Sequence, residues 1–177
     1  EKWLELHTNG LSVKPAAPKS LRTCTASGRD PPLVSVIVPT HNRATVLPRT
    51  IAAIWALTYA AIEIVVVDDA STDADVPGAL EELHSKYSAL TTGSVAGDGY
   101  FRSLTIVRNK VNLYLGASRN HGAQKAEGSL LVFTDDDDPI LPSSVANMVA
   151  ALCRRGLDMI GARPWYVPQG VDIWQTS

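Results

Sequence analysis

The chain has 177 residues, 45% of them hydrophobic and 19% charged, with a formal net charge of −2. That length suits one domain with a tail. The acidic balance excludes a nucleic-acid binder, whose affinity needs a basic surface to displace counterions.

The first residue is Glu1 rather than Met, as expected for a piece of a longer protein. Glu1 to His7 (EKWLELH) reads as the end of an upstream helix. The Pro-, Ser-, Gly- and Lys-rich stretch that follows, up to residue 32, reads as a linker. Such a composition lacks the apolar surface that offsets ordering entropy. Residues 33–177 are expected to form the domain proper.

From Leu33 onward strands alternate with helices. Val34 to Val38 is a β-branched run closed by Pro39, a buried-strand pattern. Leu47, Ile51, Ile54 and Trp55 have helical spacing, with Pro48 acceptable in a first turn. Ile62 to Val67 predicts a second strand, and residues 77–87 a helix that Asp73 or Asp75 can cap. Residues 88–102 read as a Gly/Ser-rich loop, and Leu104 to Val107 as a third strand. Gly116 to Ala126 predicts a small-residue helix stopped by Gly128, and Ser129 to Thr134 a fourth strand. Val145, Met148, Val149 and Leu152 mark a last helix ended by Gly156, with a fifth strand expected over Leu157 to Ala162. This alternation implies an α/β fold with a mostly parallel sheet flanked by helices, a Rossmann-like arrangement in which ligands bind beyond the carboxyl ends of the strands.

The polar residues of interest fall at those ends. Asp135-Asp136-Asp137-Asp138 follows the fourth strand. Adjacent carboxylates repel one another, so such a cluster favours a nearby cation, and oxygen ligands suit Mn²⁺ or Mg²⁺. The alternative is a solvated loop with capping aspartates. Asp68-Asp69 closes the second strand and can take hydrogen bonds from a base or a ribose, or can simply shape a turn. If Asp69 faces solvent there, Asp69→Asn should spare the fold. Pro39, Thr40, Asn42 and Arg43 close the first strand. Arg43, and the pair Arg119-Asn120, can approach phosphate or can be ordinary surface residues. His7, His41, His84 and His121 have no metal-ligand spacing and take no role. The two cysteines, Cys24 and Cys153, are read as reduced thiols of a cytoplasmic protein. No apolar run approaches the ~18 residues of a membrane span. No signal peptide is visible, in keeping with the cytoplasmic reading. No P-loop, dinucleotide fingerprint or nucleophile elbow is present.

Together VSVIVPTHNR, IEIVVVDDASTD and GASRNHGAQKAEGSLLVFTDDDDPILP resemble, in this order and spacing, the family 2 glycosyltransferases of GT-A fold. The resemblance runs from Leu33 to Leu152. It implies a nucleotide-sugar-binding half, with a UDP-sugar as donor and an acceptor hydroxyl of unspecified type. It implies that Pro39 and Thr40 lie beside the nucleotide base, and that Asp69, with Asp68, binds base and ribose. Arg43, Arg119 and Asn120 would lie toward the diphosphate. Asp135-x-Asp137 resembles the D-x-D motif: Asp137 is the first choice as metal ligand, with Asp135, while Asp135 and Asp136 approach the ribose or sugar. Four consecutive aspartates leave the register open by one residue.

The implied reaction is a single inverting displacement in which a base deprotonates the acceptor hydroxyl. The family's base is an acidic residue in the acceptor-binding half. After Asp138 only Asp158 and Asp172 are acidic, and neither sits in a Glu-Asp pair of the family type. The acceptor-binding part is therefore expected to be missing, and the catalytic residue is left unassigned. Two other readings stand beside this one: a sugar nucleotidyltransferase, disfavoured because PTHNRATVLP has no glycine, and a non-catalytic nucleotide-sugar-binding module.

Overall fold

A computed structural model describes residues 31–91, 101–138 and 140–161. Its elements, in chain order, are β1 (Val34–Thr40), α1 (Leu47–Trp55), β2 (Ala61–Asp68), α2 (Asp75–Leu90), β3 (Phe101–Arg108), α3 (Tyr114–Lys125), β4 (Leu130–Phe133) and α4 (Ser144–Arg155). The four strands form one parallel sheet in the order β3-β2-β1-β4. The expected α/β class with a mostly parallel sheet is what the chain adopts.

β1 and β2 are buried along their whole length, which explains their unbroken apolar runs. Alternate side chains serve opposite faces. Val34, Val36, Val38, Ile62, Ile64 and Val66 join Leu47, Ile51 and Ile54 of α1, Leu80 and Leu83 of α2, and Val145 and Val149 of α4 in the main core. Ile37, Val65 and Val67 point the other way, against Ala123 of α3. Each such side chain, when fully buried, contributes about 1.5–3 kcal/mol before entropy is counted.

The α3 face depends on close approach. A Cβ at Gly122 would stand 2.5 Å from Ile37 Cγ2 and 2.9 Å from Val67 Cγ2. Both are methyls of β-branched residues in the sheet centre, with one preferred rotamer and no room to retreat. Gly122→Ala is therefore expected to destabilise the fold by about 1–3 kcal/mol despite the better helix propensity of alanine. Urea unfolding of the variant checks this; a raised midpoint would contradict it. Beneath the same face, Ser35 donates to the buried Glu63 carboxylate. Glu63 also accepts from the Glu127 N–H at 2.9 Å, and Ser35 Oγ from the Gly128 N–H at 2.8 Å. This network pins the α3–β4 connection.

Several expectations change. α2 runs from Asp75 to Leu90, longer than 77–87, and neither Asp73 nor Asp75 caps it through a side chain. The donors just before it are instead satisfied at long range: Asn42 Oδ1 accepts from the N–H groups of Thr72 (2.7 Å) and Asp73 (3.1 Å). Asp75 still lies in the first turn, where a negative charge favours the helix. Of the expected 88–102 loop, residues 88–90 are helical and 101–102 belong to β3, while 92–100 lie outside the described residues. Gly156 ends α4 in the left-handed conformation, as its position suggested. No strand forms over 157–161, where Met159 is 86% exposed: that apolar run meets no sheet edge to bury it.

Cys153 is disulfide-bonded, which corrects the expectation of two reduced thiols. Sequence spacing carries no information on the Cα separation a disulfide requires. Cys24, the expected helix end and nearly all of the expected linker, Ala162 and Asp172 lie outside the described residues. No helix among the described residues is long and apolar enough to cross a membrane.

Candidate functional site

The chain builds outward from β1 through β2 and β3 and then returns, by way of α3 on the other face, to β4 on the far side of β1, so the strand order reverses at β1. A crevice opens at the carboxyl end of such a switch point. The chain has there a cleft of about 490 Å³, within the ~300–1,000 Å³ usual for small-molecule sites. The end of β1 contributes Pro39, Thr40, His41 and Arg43, and the end of β2 contributes Asp69. Asp135, Asp136 and Asp137 come from the turn after β4, and Asn112, Tyr114 and Leu115 from the entry to α3.

The aspartates of that turn alternate in direction. Asp136 is 7% exposed and accepts a 2.6 Å hydrogen bond from Thr40 Oγ1, while its backbone carbonyl accepts from Thr50 Oγ1 of α1 at 2.5 Å. Asp136 thus ties the acidic turn to β1 and α1. Asp135 and Asp137 face outward, each beside an arginine: Arg119 Nη2 lies 2.6 Å from Asp135 Oδ1, and Arg43 Nη1 lies 3.0 Å from Asp137 Oδ2. Both pairs are partly exposed, so each adds at most about 1 kcal/mol to stability. Arg43 lines the cleft with both carboxylates, whereas Arg119 lies outside the lining and reaches the site only through Asp135.

Burial pushes the Asp136 carboxyl above the ordinary carboxylate value; the Thr40 hydrogen bond and Arg43 oppose this, and the charges of Asp137 and Asp135 add to it. A native pKa above the unfolded one means that stability is lost as pH rises from the ordinary value through the native one. Asp136→Asn keeps an oxygen for Thr40 and removes the charge. The variant should therefore lose less stability than the unmodified chain as pH rises above the ordinary carboxylate value. Urea midpoints across that range test this; parallel profiles would contradict it.

Asp69 is 5% exposed, not solvent-facing. Its Oδ1 accepts from Asn109 Nδ2 at 2.7 Å and from the Leu113 N–H at 2.8 Å. Its backbone N–H donates to the Thr40 carbonyl (2.8 Å), and its carbonyl lies 2.8 Å from His41 Nδ1. Burial acts to raise its carboxyl, but the hydrogen bonds from Asn109, Leu113, Ser118 and Tyr114 together hold it below the ordinary value. The premise that Asp69 faces solvent is thus overturned: this carboxylate organises the strand end.

Asp68, though adjacent, is fully buried and outside the cleft lining. Its Oδ1 accepts from the Ser71 N–H at 2.9 Å, and its Oδ2 lies 3.3 Å from Arg108 Nε in an ion pair without hydrogen-bond geometry. Asn42 is likewise outside the lining. It takes a left-handed φ of 55° and binds the β1 loop to the β2 loop through Ser71, Thr72 and Asp73. Asn120 is exposed on α3 and does not line the cleft.

Residues not singled out in the sequence complete the site. Asn109, at the end of β3, joins Asp69 to Ser118 (2.9 Å) and to His121 Nδ1 (2.5 Å). The strand-end rule that drew attention to the other three strands would have found it. Asn112, Tyr114 and Leu115 carried no motif signal, and His41, inside the quoted VSVIVPTHNR segment, takes no role from the sequence.

No group of three or more His, Cys, Asp or Glu side chains arranged for a metal occurs among the described residues. Mg²⁺-like ions are commonly held by one or two carboxylates plus substrate phosphates. Asp135 and Asp137 fit a cation of that kind, shared with a diphosphate, rather than an all-protein cage.

A parallel α/β sheet with such a cleft at its switch point defines a Rossmann-like α/β domain. The chain belongs to glycosyl transferase family 2, whose family model matches residues 35–177. It is 27% identical over 132 residues to an uncharacterized glycosyltransferase of Haemophilus influenzae, covering 75% of this chain and 36% of that protein. It is 33% identical over 125 residues to validoxylamine A glucosyltransferase of Streptomyces hygroscopicus subsp. jinggangensis, covering 68% and 25%. Among solved structures it resembles the mannosyltransferase PcManGT of Pyrobaculum calidifontis in complex with GDP-Man and Mn²⁺ (TM-score 0.57, 30% identity, 68% of this chain and 32% of that one). It also resembles S. aureus TarS 1-349 in complex with UDP-GlcNAc (TM-score 0.56, 26% identity, 77% and 37%). The fold is of the GT-A type. The chain spans 25–37% of the length of these relatives.

Proposed function

We propose that the cleft binds a nucleoside-diphosphate sugar together with Mn²⁺ or Mg²⁺, as the donor side of an inverting hexosyltransferase. The observation that carries this reading is the alternation after β4. Asp136 is spent on Thr40, which leaves Asp135 and Asp137 facing the opening, each with an arginine beside it. In this reading Asp135 and Asp137 hold the cation, Arg43 and Arg119 turn toward the diphosphate, and Asp69 with the Pro39-Thr40 turn receives the nucleoside. A bound divalent cation supplies charge neutralisation on the departing diphosphate. In the transfer, the acceptor oxygen bonds to the anomeric carbon as the bond from that carbon to the diphosphate oxygen breaks, and the hydroxyl proton passes to a base that this reading leaves unassigned.

A UDP-sugar is the donor we propose first. The two similar structures hold GDP-Man in one case and UDP-GlcNAc in the other, so both nucleotides belong in the test. Asp158 is exposed and outside the cleft lining, so this reading gives it no part as the base. We further propose that residues 33–177 make up the donor-binding part, after a linker, and that the acceptor is bound elsewhere in the whole protein. For the compartment we propose the cytoplasm, against which the Cys153 disulfide weighs; fractionation of the source cells tests the compartment, and a free-thiol titration tests the disulfide.

Calorimetry of UDP and GDP with this chain tests the central reading. Binding with Mn²⁺ or Mg²⁺ that disappears with EDTA is the expected result. Equal affinity in both conditions, or no binding in either, would sink it.

A further inference from the structure

Tyr114 combines three features that ordinary packing does not explain. Its backbone has φ +63°, in the left-handed region where a side chain with a Cβ is disfavoured. It is 78% exposed, so it gains little from burial. Among the described residues its side chain makes no hydrogen bond or ring contact, yet it lines the cleft. Glycine would adopt the same backbone without strain. The conformation is held from the site itself: the Leu113 N–H donates to Asp69 Oδ1 at 2.8 Å, and the Tyr114 N–H donates to Asn112 Oδ1 at 2.9 Å. An aromatic ring is thus kept at the mouth of the cleft, one residue from the hydrogen bond that fixes Asp69. Leu115, 47% exposed, extends the apolar wall. Strain retained at such a point calls for a functional account.

We propose that Tyr114 is the stacking platform for the base of the bound nucleoside diphosphate. The inference rests on the nucleotide-binding reading above and adds to it the residue that grips the base. A base has a polar edge and flat apolar faces; Asp69 suits the edge and the Tyr114 ring suits a face. Stacking is tolerant of base identity, because every base offers a π-face. Tyr114 therefore supplies affinity, and discrimination between bases falls to the hydrogen-bonding groups around Asp69.

The test compares Tyr114→Gly, Tyr114→Asn and Tyr114→Phe with the unmodified chain, by calorimetry with UDP and GDP in Mn²⁺ and by thermal unfolding. Gly and Asn tolerate a left-handed backbone, so both variants should fold, and Tyr114→Gly should melt at a higher temperature than the unmodified chain. Both should bind either nucleotide more weakly, by roughly 5- to 150-fold for the loss of one aromatic stack. Tyr114→Phe should bind like the unmodified chain. Unchanged affinity in Tyr114→Gly and Tyr114→Asn overturns the stacking role and leaves the nucleotide-binding reading intact. Weak binding by Tyr114→Phe overturns it too, in favour of a hydroxyl contact. No rise in melting temperature for Tyr114→Gly overturns the claim of stored strain. An unmodified chain that binds neither nucleotide overturns both readings at once.

Discussion

Asp137→Asn is expected to remove the metal-dependent part of nucleoside-diphosphate binding while leaving the fold almost unchanged. Its carboxylate is 47% exposed and, among the described residues, pairs with the equally exposed Arg43, so the stability at stake is at most about 1 kcal/mol. The loss in binding is of another order. Removing groups that merely orient metal ligands costs about 10–100-fold in metal affinity, and a direct carboxylate ligand should cost at least that. Calorimetry with Mn²⁺ and UDP, beside a denaturant curve, separates the two effects. Intact metal-dependent binding in Asp137→Asn together with its loss in Asp136→Asn would move the motif by one residue. That outcome would also contradict the inward direction of Asp136.

Asp69→Ala should have the opposite balance, with a large stability cost as well as a loss of nucleotide affinity. The substitution leaves the Leu113 N–H without its partner and Asn109 with only Ser118 and His121. An unsatisfied buried donor costs about 1–3 kcal/mol; the Leu113 N–H is only part-buried and Asn109 keeps two partners, so a loss of about 1–2 kcal/mol is expected. The acid limb of stability carries a second signature. The native pKa of Asp69 lies below its unfolded value, so its contribution is fully present above the unfolded pKa. That contribution is lost as pH falls through the native value. Asp69→Ala should therefore flatten the stability profile at the acid end, below the ordinary carboxylate pKa. Denaturant midpoints measured down to that range provide the check. A variant as stable as the unmodified chain, with the same acid limb, would show that this hydrogen-bond cluster is not what holds the strand end.

The order of elements was open to reading because it rests on local pattern. Unbroken β-branched runs at Val34 to Val38 and Ile62 to Val67 fit only strands covered on both sides. The spacing of Leu47, Ile51 and Ile54 fits only a helix packed along one face. The strand-end position of the acidic groups followed from the same pattern, since an alternating chain brings the carboxyl ends of its parallel strands to one edge. Three quoted segments in order were enough to point to the family.

Direction and partnership were decided only by the tertiary structure. Four consecutive aspartates look equivalent in sequence. In the fold all three of Asp135, Asp136 and Asp137 line the cleft, but Thr40 and Thr50, from two other elements, hold Asp136 buried while Asp135 and Asp137 stay partly exposed. Asp68 and Asp69 are neighbours with opposite surroundings, because successive strand residues point to opposite faces. One meets Ser71 and Arg108, the other Asn109 and the cleft. Asn42 joins the β1 loop to the β2 loop, a partnership between residues about thirty positions apart that no local pattern encodes. The disulfide at Cys153 and the left-handed Tyr114 gave no signal at all. Periodicity encodes which face of an element is apolar. Which distant side chain meets a given carboxylate depends on how the elements pack, and that is settled by contacts between residues far apart in the chain.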